Sequence, residues 1–101
     1  MRVLLLFLDT VDYNREASKI VNLPQNINPF IGMTIHTEND LSLVVKKVEA
    51  SIDQKDTPEE PSITLILEDE LIDDAKEIEQ RKKILDINFE VLKETGWETN
   101  F

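Results

Sequence analysis

Apolar and polar residues alternate along the first two thirds of the chain in a pattern that predicts several β-strands. Residues 3–8 form an unbroken apolar run of six residues, which is typical of a central strand covered on both faces. Residues 30–36 alternate between apolar and polar positions, and residues 62–67 form a short apolar run bounded by proline. Residues 16–23 fit either a returning strand or a single helical turn.

Residues 41–53 fit two different structures, and the choice between them decides the fold class. Five apolar residues recur here at helical spacing: Leu41, Val44, Val45, Val48 and Ile52. β-Branched side chains, however, suit a pleated strand better than a helix. A strand requires a β-bulge near Lys46 and Lys47, so that Val45 and Val48 face the same side. We favour the strand and keep a helix over about residues 38–53 as the alternative.

The last third of the chain predicts one amphipathic helix. Asp69 is the expected N-cap, because carboxylates favour the positive end of the helix dipole. Apolar positions recur at alternating spacings of four and three residues, with one lysine among them: Leu71, Ala75, Ile78, Lys82, Leu85, Phe89 and Leu92. This pattern permits a helix that runs to Thr95 and ends at Gly96. The poor helix formers after Asp86 favour instead a helix that ends there, followed by a strand over residues 87–95.

Together these elements predict an α+β fold in a single domain over residues 1–101. The sheet is expected to be small, antiparallel and curled, with about five or six strands and one C-terminal amphipathic helix. An α/β fold with a further helix at about residues 38–53 is the alternative. A chain of 101 residues has the length of one domain.

Charge narrows the class of partner. The chain has 21 acidic residues against 11 Lys and Arg, so its net charge is −10 at pH 7. Residues 53–79 contain eleven of the acids against Lys55 and Lys76, and therefore carry −9 of that charge. Such a chain repels the phosphates of nucleic acids and the surface of an anionic membrane. A basic protein surface is the expected partner, and we expect neither direct nucleic-acid binding nor membrane binding.

The sequence contains no recognisable catalytic, cofactor or metal motif. The absence of cysteine excludes thiolate chemistry, and two glycines are too few for a phosphate-binding loop. His36 is the single histidine, and none of the serines lies in a motif typical of a catalytic nucleophile. The acids at residues 68–74 lack the spacing of a calcium-binding loop and fit a solvated helix start. We therefore expect no cofactor, no metal site, no catalytic residue and no enzymatic activity.

A cytoplasmic location is the expectation from two features. The absence of cysteine fits an intracellular protein. The apolar run at residues 3–8 is too short for a signal peptide, and no apolar run approaches the roughly 20 residues of a membrane span.

Eight residues are the candidates for contact with a partner: Glu59, Glu60, Glu68, Asp69, Glu70, Asp73, Asp74 and Trp97. Seven of them belong to the acidic segment. Trp97 is open to two interpretations, because an aromatic residue near a chain end either closes the core or anchors a partner.

Three functions follow from these observations. The first is a non-enzymatic acidic interaction domain, of the inhibitor, immunity or antagonist type, that binds a basic protein surface. The second is a structural or regulatory subunit that can form a homodimer, in which acidity serves solubility. Its contacts would use a sheet edge or the helix stripe of Leu71, Ile78, Leu85 and Phe89. The third is a small enzyme that uses carboxylates or His36.

Overall fold

The computed structural model describes residues 1–52 and 61–101, which form a curled mixed sheet with one long helix on its concave face. Over these residues the strands follow the order β3-β4-β5-β1-β2-β6 across the sheet. The elements in chain order are β1 (Arg2–Leu8), β2 (Glu16–Asn22), β3 (Thr34–His36), β4 (Ser42–Ala50), β5 (Ile63–Asp69), a 3₁₀ turn (Ile72–Asp74), α1 (Ile78–Glu94) and β6 (Glu98–Thr99). The expected α+β class with a small curled sheet and a C-terminal helix is confirmed.

One strand pair departs from an all-antiparallel sheet. β1 pairs with β2 in an antiparallel hairpin, whereas β1 and β5 run parallel, with Leu4 opposite Thr64 and Phe7 opposite Leu67. The chain leaves the hairpin, crosses to the far edge as β3 and returns through β4 and β5. β5 thus fills the place beside β1 with the same direction as β1.

β4 settles the ambiguous segment as a strand, so the alternative helix over about residues 38–53 is wrong. The register of β4 against β5 shifts between Val45 and Lys47, which is the β-bulge that the sequence required. Because of this extra residue, Val45 and Val48 lie opposite Leu67 and Leu65, two buried residues of the same face. The bulge therefore keeps Val45 and Val48 on one face of the sheet, where Val45 is buried and Val48 is 37% exposed.

The helix starts later and ends later than expected. Asp69 is the last residue of β5 rather than a helix cap, and α1 begins at Ile78 after the 3₁₀ turn. The favoured strand over residues 87–95 is wrong, and the alternative with a longer helix is correct. Phe89 and Leu92 are both buried against the sheet, so core packing outweighs the weak helix propensity of this segment. The helix ends before Gly96, which has a positive φ of 87°.

The strand over residues 30–36 is shorter than expected. Only Thr34–His36 forms a regular strand, because Gly32 adopts a φ of 94° in a turn. The N–H of Gly32 donates to the carbonyl of Val45 at 2.8 Å, and the N–H of Val45 donates to the carbonyl of Met33 at 2.9 Å. The turn thus stays attached to β4 although its backbone is irregular.

The core lies between the concave face of the sheet and α1. Alternate residues of β1 face it, and Phe7 contacts Phe89 edge to face with ring centroids 5.0 Å apart. Phe101 also contacts Phe89 edge to face, with ring centroids 5.4 Å apart. Trp97 is only 6% exposed and belongs to the core cluster. The chain end thus folds back onto the domain.

Among the helices in the described part of the chain, none has the length and apolar character needed to cross a membrane.

Candidate interaction surface

Acidic residues collect where β5 ends and the chain turns towards α1. Glu68 and Asp69 close the strand, Glu70 follows it, and Asp73 and Asp74 belong to the 3₁₀ turn. Leu71 lies between these two pairs of acids and is 61% exposed. The N–H of Asp74 donates to the carbonyl of Leu71 at 3.1 Å, which brings that carboxylate-bearing residue close to the leucine.

A further acid, Asp40, joins this surface from the turn between β3 and β4. A groove of about 270 Å³ runs between the two turns, lined by Asp40, Leu41, Ser42, Asp69, Glu70 and Leu71. The N–H of Glu70 donates to the carbonyl of Ser42 at 3.0 Å and joins the two sides of the groove. Asp40 is absent from the contact residues predicted from the sequence. The pairing of β4 with β5 would have indicated it, because antiparallel pairing places the residues before β4 beside the residues after β5.

Lys46 forms ion pairs with two of the predicted residues within the fold. Its ammonium Nζ lies 2.6 Å from Oδ2 of Asp73 and 3.8 Å from Oε2 of Glu68. The hydrogen bond from Lys46 lowers the pKa of Asp73, and the same bond raises the pKa of Lys46. Glu68 and Asp73 thus contribute less negative potential to a partner than their position in the sequence suggests.

Asp69 has a structural role. Its Oδ2 accepts a hydrogen bond from Nδ2 of Asn88 at 2.8 Å, and its Oδ1 accepts one from the N–H of Leu71 at 2.7 Å. Asn88 is a buried residue of α1, so this contact ties the helix to the end of β5. The carboxylate satisfies a buried amide and fixes the turn that presents Leu71.

Three of the carboxylates at these two turns are exposed to a partner. Asp40, Glu70 and Asp74 are exposed, and none of them forms an ion pair with another residue in the ranges 1–52 and 61–101. We call these three residues together with Leu71 the acidic surface.

The other predicted contact residues lie elsewhere. Glu59 and Glu60 fall outside the described residues. Trp97 is in the core, where its burial keeps it from a partner, and it lies beside β1 and β2 rather than in the acidic surface.

The helix stripe predicted as a dimer contact is divided by the fold. Leu85 and Phe89 are buried against the sheet, whereas Leu71 and Ile78 are exposed. The outer face of the sheet has a different apolar group, formed by Leu4, Leu6, Ile20 and Ile66. Leu4 lies opposite Ile20 and Leu6 lies opposite Ile66, so their side chains share one face. All four are half-buried and lie outside the core cluster.

His36 makes one side-chain contact that bears on catalysis. Its Nδ1 lies 3.1 Å from Oγ of Ser42, and both residues are accessible to solvent. Within the described ranges, no carboxylate forms a hydrogen bond with the ring to orient it as in a catalytic triad. No group of three or more metal-ligating side chains occurs in the same ranges either.

A second carboxylate cluster joins the β1–β2 hairpin to α1. Asp9 is 1% exposed, and its Oδ2 accepts a hydrogen bond from Nε of Arg15 at 3.1 Å. Arg15 also contacts Oδ1 of Asp86 at 2.8 Å and lies 4.7 Å from the centre of the Phe89 ring. Burial opposes ionisation of Asp9, but the N–H groups of Asp12 and Val11 and the guanidinium of Arg15 outweigh it, so the pKa of Asp9 is lowered. This cluster stabilises the fold.

Comparison with known proteins found no protein-family model, no curated protein and no solved structure that matches this chain.

Proposed function

We propose that this protein is a non-enzymatic interaction domain of the inhibitor, immunity or antagonist type. It binds a basic protein through the acidic surface. The observation that carries the proposal is the arrangement of Asp40, Glu70 and Asp74 around the exposed side chain of Leu71. Two separate turns supply these residues, and a backbone hydrogen bond between Glu70 and Ser42 holds the turns together.

The two kinds of side chain serve different steps of binding. Exposed carboxylates attract a basic partner over a distance of about 8–10 Å at physiological salt and raise the association rate. Leu71 supplies apolar area that is buried only in the complex, which lowers the dissociation rate. The net charge of −10 adds a general attraction to any basic protein. The acidic surface determines where on the domain the partner docks.

Capture from a lysate with matched variants tests this proposal. The test variant combines Asp40→Asn, Glu70→Gln and Asp74→Asn. The control variant combines Glu79→Gln, Glu90→Gln and Glu94→Gln, three exposed positions of α1. Both variants change the net charge by the same amount, so only the location of the charge differs between them.

The proposal requires that the wild-type protein and the control capture the same basic proteins at low salt, and that the test variant does not. A Leu71→Ser variant should weaken capture and increase the dissociation rate of a captured protein. Equal losses in the test and control variants would show that bulk charge alone drives capture. The acidic surface would then have no specific role.

A second candidate function is a structural or regulatory subunit that forms a homodimer. The observation that favours it is the apolar group on the outer face of the sheet, formed by Leu4, Leu6, Ile20 and Ile66. Charges of both signs border this group, since Lys47 and Glu49 lie on β4 at one side and Glu16 on β2 at the other. A face with both signs suits a second copy of itself. Light scattering should then show a dimer that Leu6→Ser dissociates, while a monomer at all concentrations would exclude this candidate.

A further inference from the structure

The loop between β1 and β2 carries an exposed aromatic side chain. Tyr13 is 82% exposed, more than any other aromatic residue in the described part of the chain. Its backbone has a φ of 56°, in the left-handed region that bulky residues rarely adopt. Such a conformation is energetically unfavourable and persists only where the surrounding structure enforces it. The fold therefore holds a large aromatic ring in solvent rather than packing it.

Hydrogen bonds within the loop keep its backbone in place. Oδ1 of Asp9 accepts from the N–H of Val11 at 3.0 Å and from the N–H of Asp12 at 2.9 Å. The N–H of Asp9 also donates to the carbonyl of Arg15 at 3.0 Å, which closes the loop. An aromatic residue on a rigid loop loses little conformational entropy when it binds. Tyr13 is thus suited to act as an anchor for a partner.

The loop lies at the same end of the sheet as the acidic surface. β1 and β5 are adjacent and parallel, so the loop after β1 and the turn after β5 leave the sheet at one end. β4 and β2 flank this pair, and three strand spacings of about 4.8 Å separate them by no more than roughly 14 Å. An ordinary protein interface covers about 800 Å² of each partner and is therefore roughly 30 Å across. A partner that docks on the acidic surface reaches the β1–β2 loop.

The charge beside Tyr13 favours a cation. A groove of about 250 Å³ adjoins the ring, and its lining includes Arg15 and Glu16. Arg15 already pairs with two carboxylates. Glu16 lines a second groove together with Glu98, and neither glutamate forms an ion pair with another residue in the ranges 1–52 and 61–101. The negative charge of these two glutamates therefore attracts a cation and repels an anion.

An aromatic ring next to a carboxylate selects a guanidinium among cations. A guanidinium stacks on the ring and at the same time donates hydrogen bonds to the carboxylate, whereas an ammonium is a compact and strongly hydrated point charge. We propose that the basic partner inserts an arginine side chain between the ring of Tyr13 and the carboxylate of Glu16. This contact rests on the proposed function for the class of partner, and it adds a second point of attachment with a defined chemistry.

Titration of the ¹⁵N-labelled full chain with hexa-arginine and with hexalysine tests the proposal. The two peptides carry the same charge, and only hexa-arginine has guanidinium groups. Tyr13 is the single tyrosine, so its ring signals are unambiguous. Saturable shifts of these signals and of the Glu16 amide are expected with hexa-arginine. Hexa-arginine should bind about two- to fivefold more tightly than hexalysine, as one exposed cation–π contact implies.

Matched variants assign this preference to Tyr13. Tyr13→Asn removes the ring and keeps the backbone, because asparagine tolerates a positive φ, and it should make the two affinities equal. Phe30→Asn removes another exposed aromatic ring, in the turn before β3, and should preserve the preference. The proposal is overturned if hexa-arginine does not shift the Tyr13 signals, or if Tyr13→Asn leaves the ratio of the two affinities unchanged. The first criterion uses the wild-type protein and holds even if a variant does not fold.

The variant of the acidic surface separates this contact from the proposed function. Asp40→Asn, Glu70→Gln and Asp74→Asn together should weaken binding of both peptides equally and leave the preference for hexa-arginine intact. Unchanged affinities for both peptides in this variant would contradict the role of the acidic surface. An unchanged ratio in Tyr13→Asn would contradict only the role of Tyr13.

Discussion

Removal of the Asp9 carboxylate should destabilise this protein strongly, although Asp9 is one acid among many. Its side chain accepts hydrogen bonds from the N–H of Val11 at 3.0 Å, the N–H of Asp12 at 2.9 Å and Nε of Arg15 at 3.1 Å. Asp9→Ala leaves three donors without this acceptor. A buried donor without a partner costs roughly 1–3 kcal/mol, and the lower end applies because these donors are only partly buried. We therefore expect a loss of about 3 kcal/mol in the free energy of unfolding.

Urea and thermal unfolding measure this loss. Trp97 is the single tryptophan and is buried, so its fluorescence reports on the unfolding transition. For a domain of this size, 1 kcal/mol corresponds to about 4–8 °C in Tm, which predicts a decrease of about 12–24 °C. Asp9→Asn keeps one acceptor oxygen and should lose roughly half as much free energy.

Asp12 supplies the control for this experiment. It is exposed, and its side chain lies 3.8 Å from Nζ of Lys82 in an ion pair at the surface. Such pairs contribute between about 0 and 1 kcal/mol, so Asp12→Ala should leave the stability almost unchanged. If Asp9→Ala and Asp12→Ala shift the urea midpoint equally, the structural role assigned to Asp9 is wrong.

Three further predictions follow from the same structure. The pKa of Asp9 is lowered in the folded protein, so its contribution to stability is complete above the unfolded pKa of about 3.9 and is lost as the pH falls through the folded pKa. The free energy of unfolding, measured between pH 2 and pH 6, should show this loss in the wild type and a smaller loss in Asp9→Asn. Phe89→Ala removes a ring that contacts Phe7 and Phe101 and should lower the free energy of unfolding by about 3–5 kcal/mol, as measured with urea. A decrease below about 1 kcal/mol would contradict the observed packing. Gly96→Ala forces alanine into a positive φ of 87° and should lower the free energy of unfolding by about 1 kcal/mol or more, as measured by calorimetry, whereas a neutral or stabilising effect would show that the helix end relaxes.

The sequence predicted those parts of the fold that depend on local pattern. The bulge in β4 followed from the spacing of Val45 and Val48, because a pleated strand must place alternate residues on one face. The parallel pairing of β1 with β5 had no comparable local signal, because it depends on where the chain crosses the sheet. The end of α1 was misjudged for a related reason: Asn88 is a poor helix former, yet it is buried and bonded to Asp69. Contacts of this kind outweigh propensity and are absent from a linear pattern.

The same distinction applies to the acidic surface. The many carboxylates at residues 68–74 made this segment the predicted contact region. The role of each carboxylate, however, depends on residues that contact it from distant parts of the chain. Lys46 forms an ion pair with Asp73, which lies 27 residues further along the chain. Asn88 donates a hydrogen bond to Asp69, which lies 19 residues before it. Asp40 joins the surface because β4 pairs with β5. A run of acids is therefore not itself a surface: pairing within the fold removes some charges from it, and strand register adds others. For this protein, the exposed carboxylates of Asp40, Glu70 and Asp74 therefore lie beside an exposed leucine, although only two of the three belong to the run of acids.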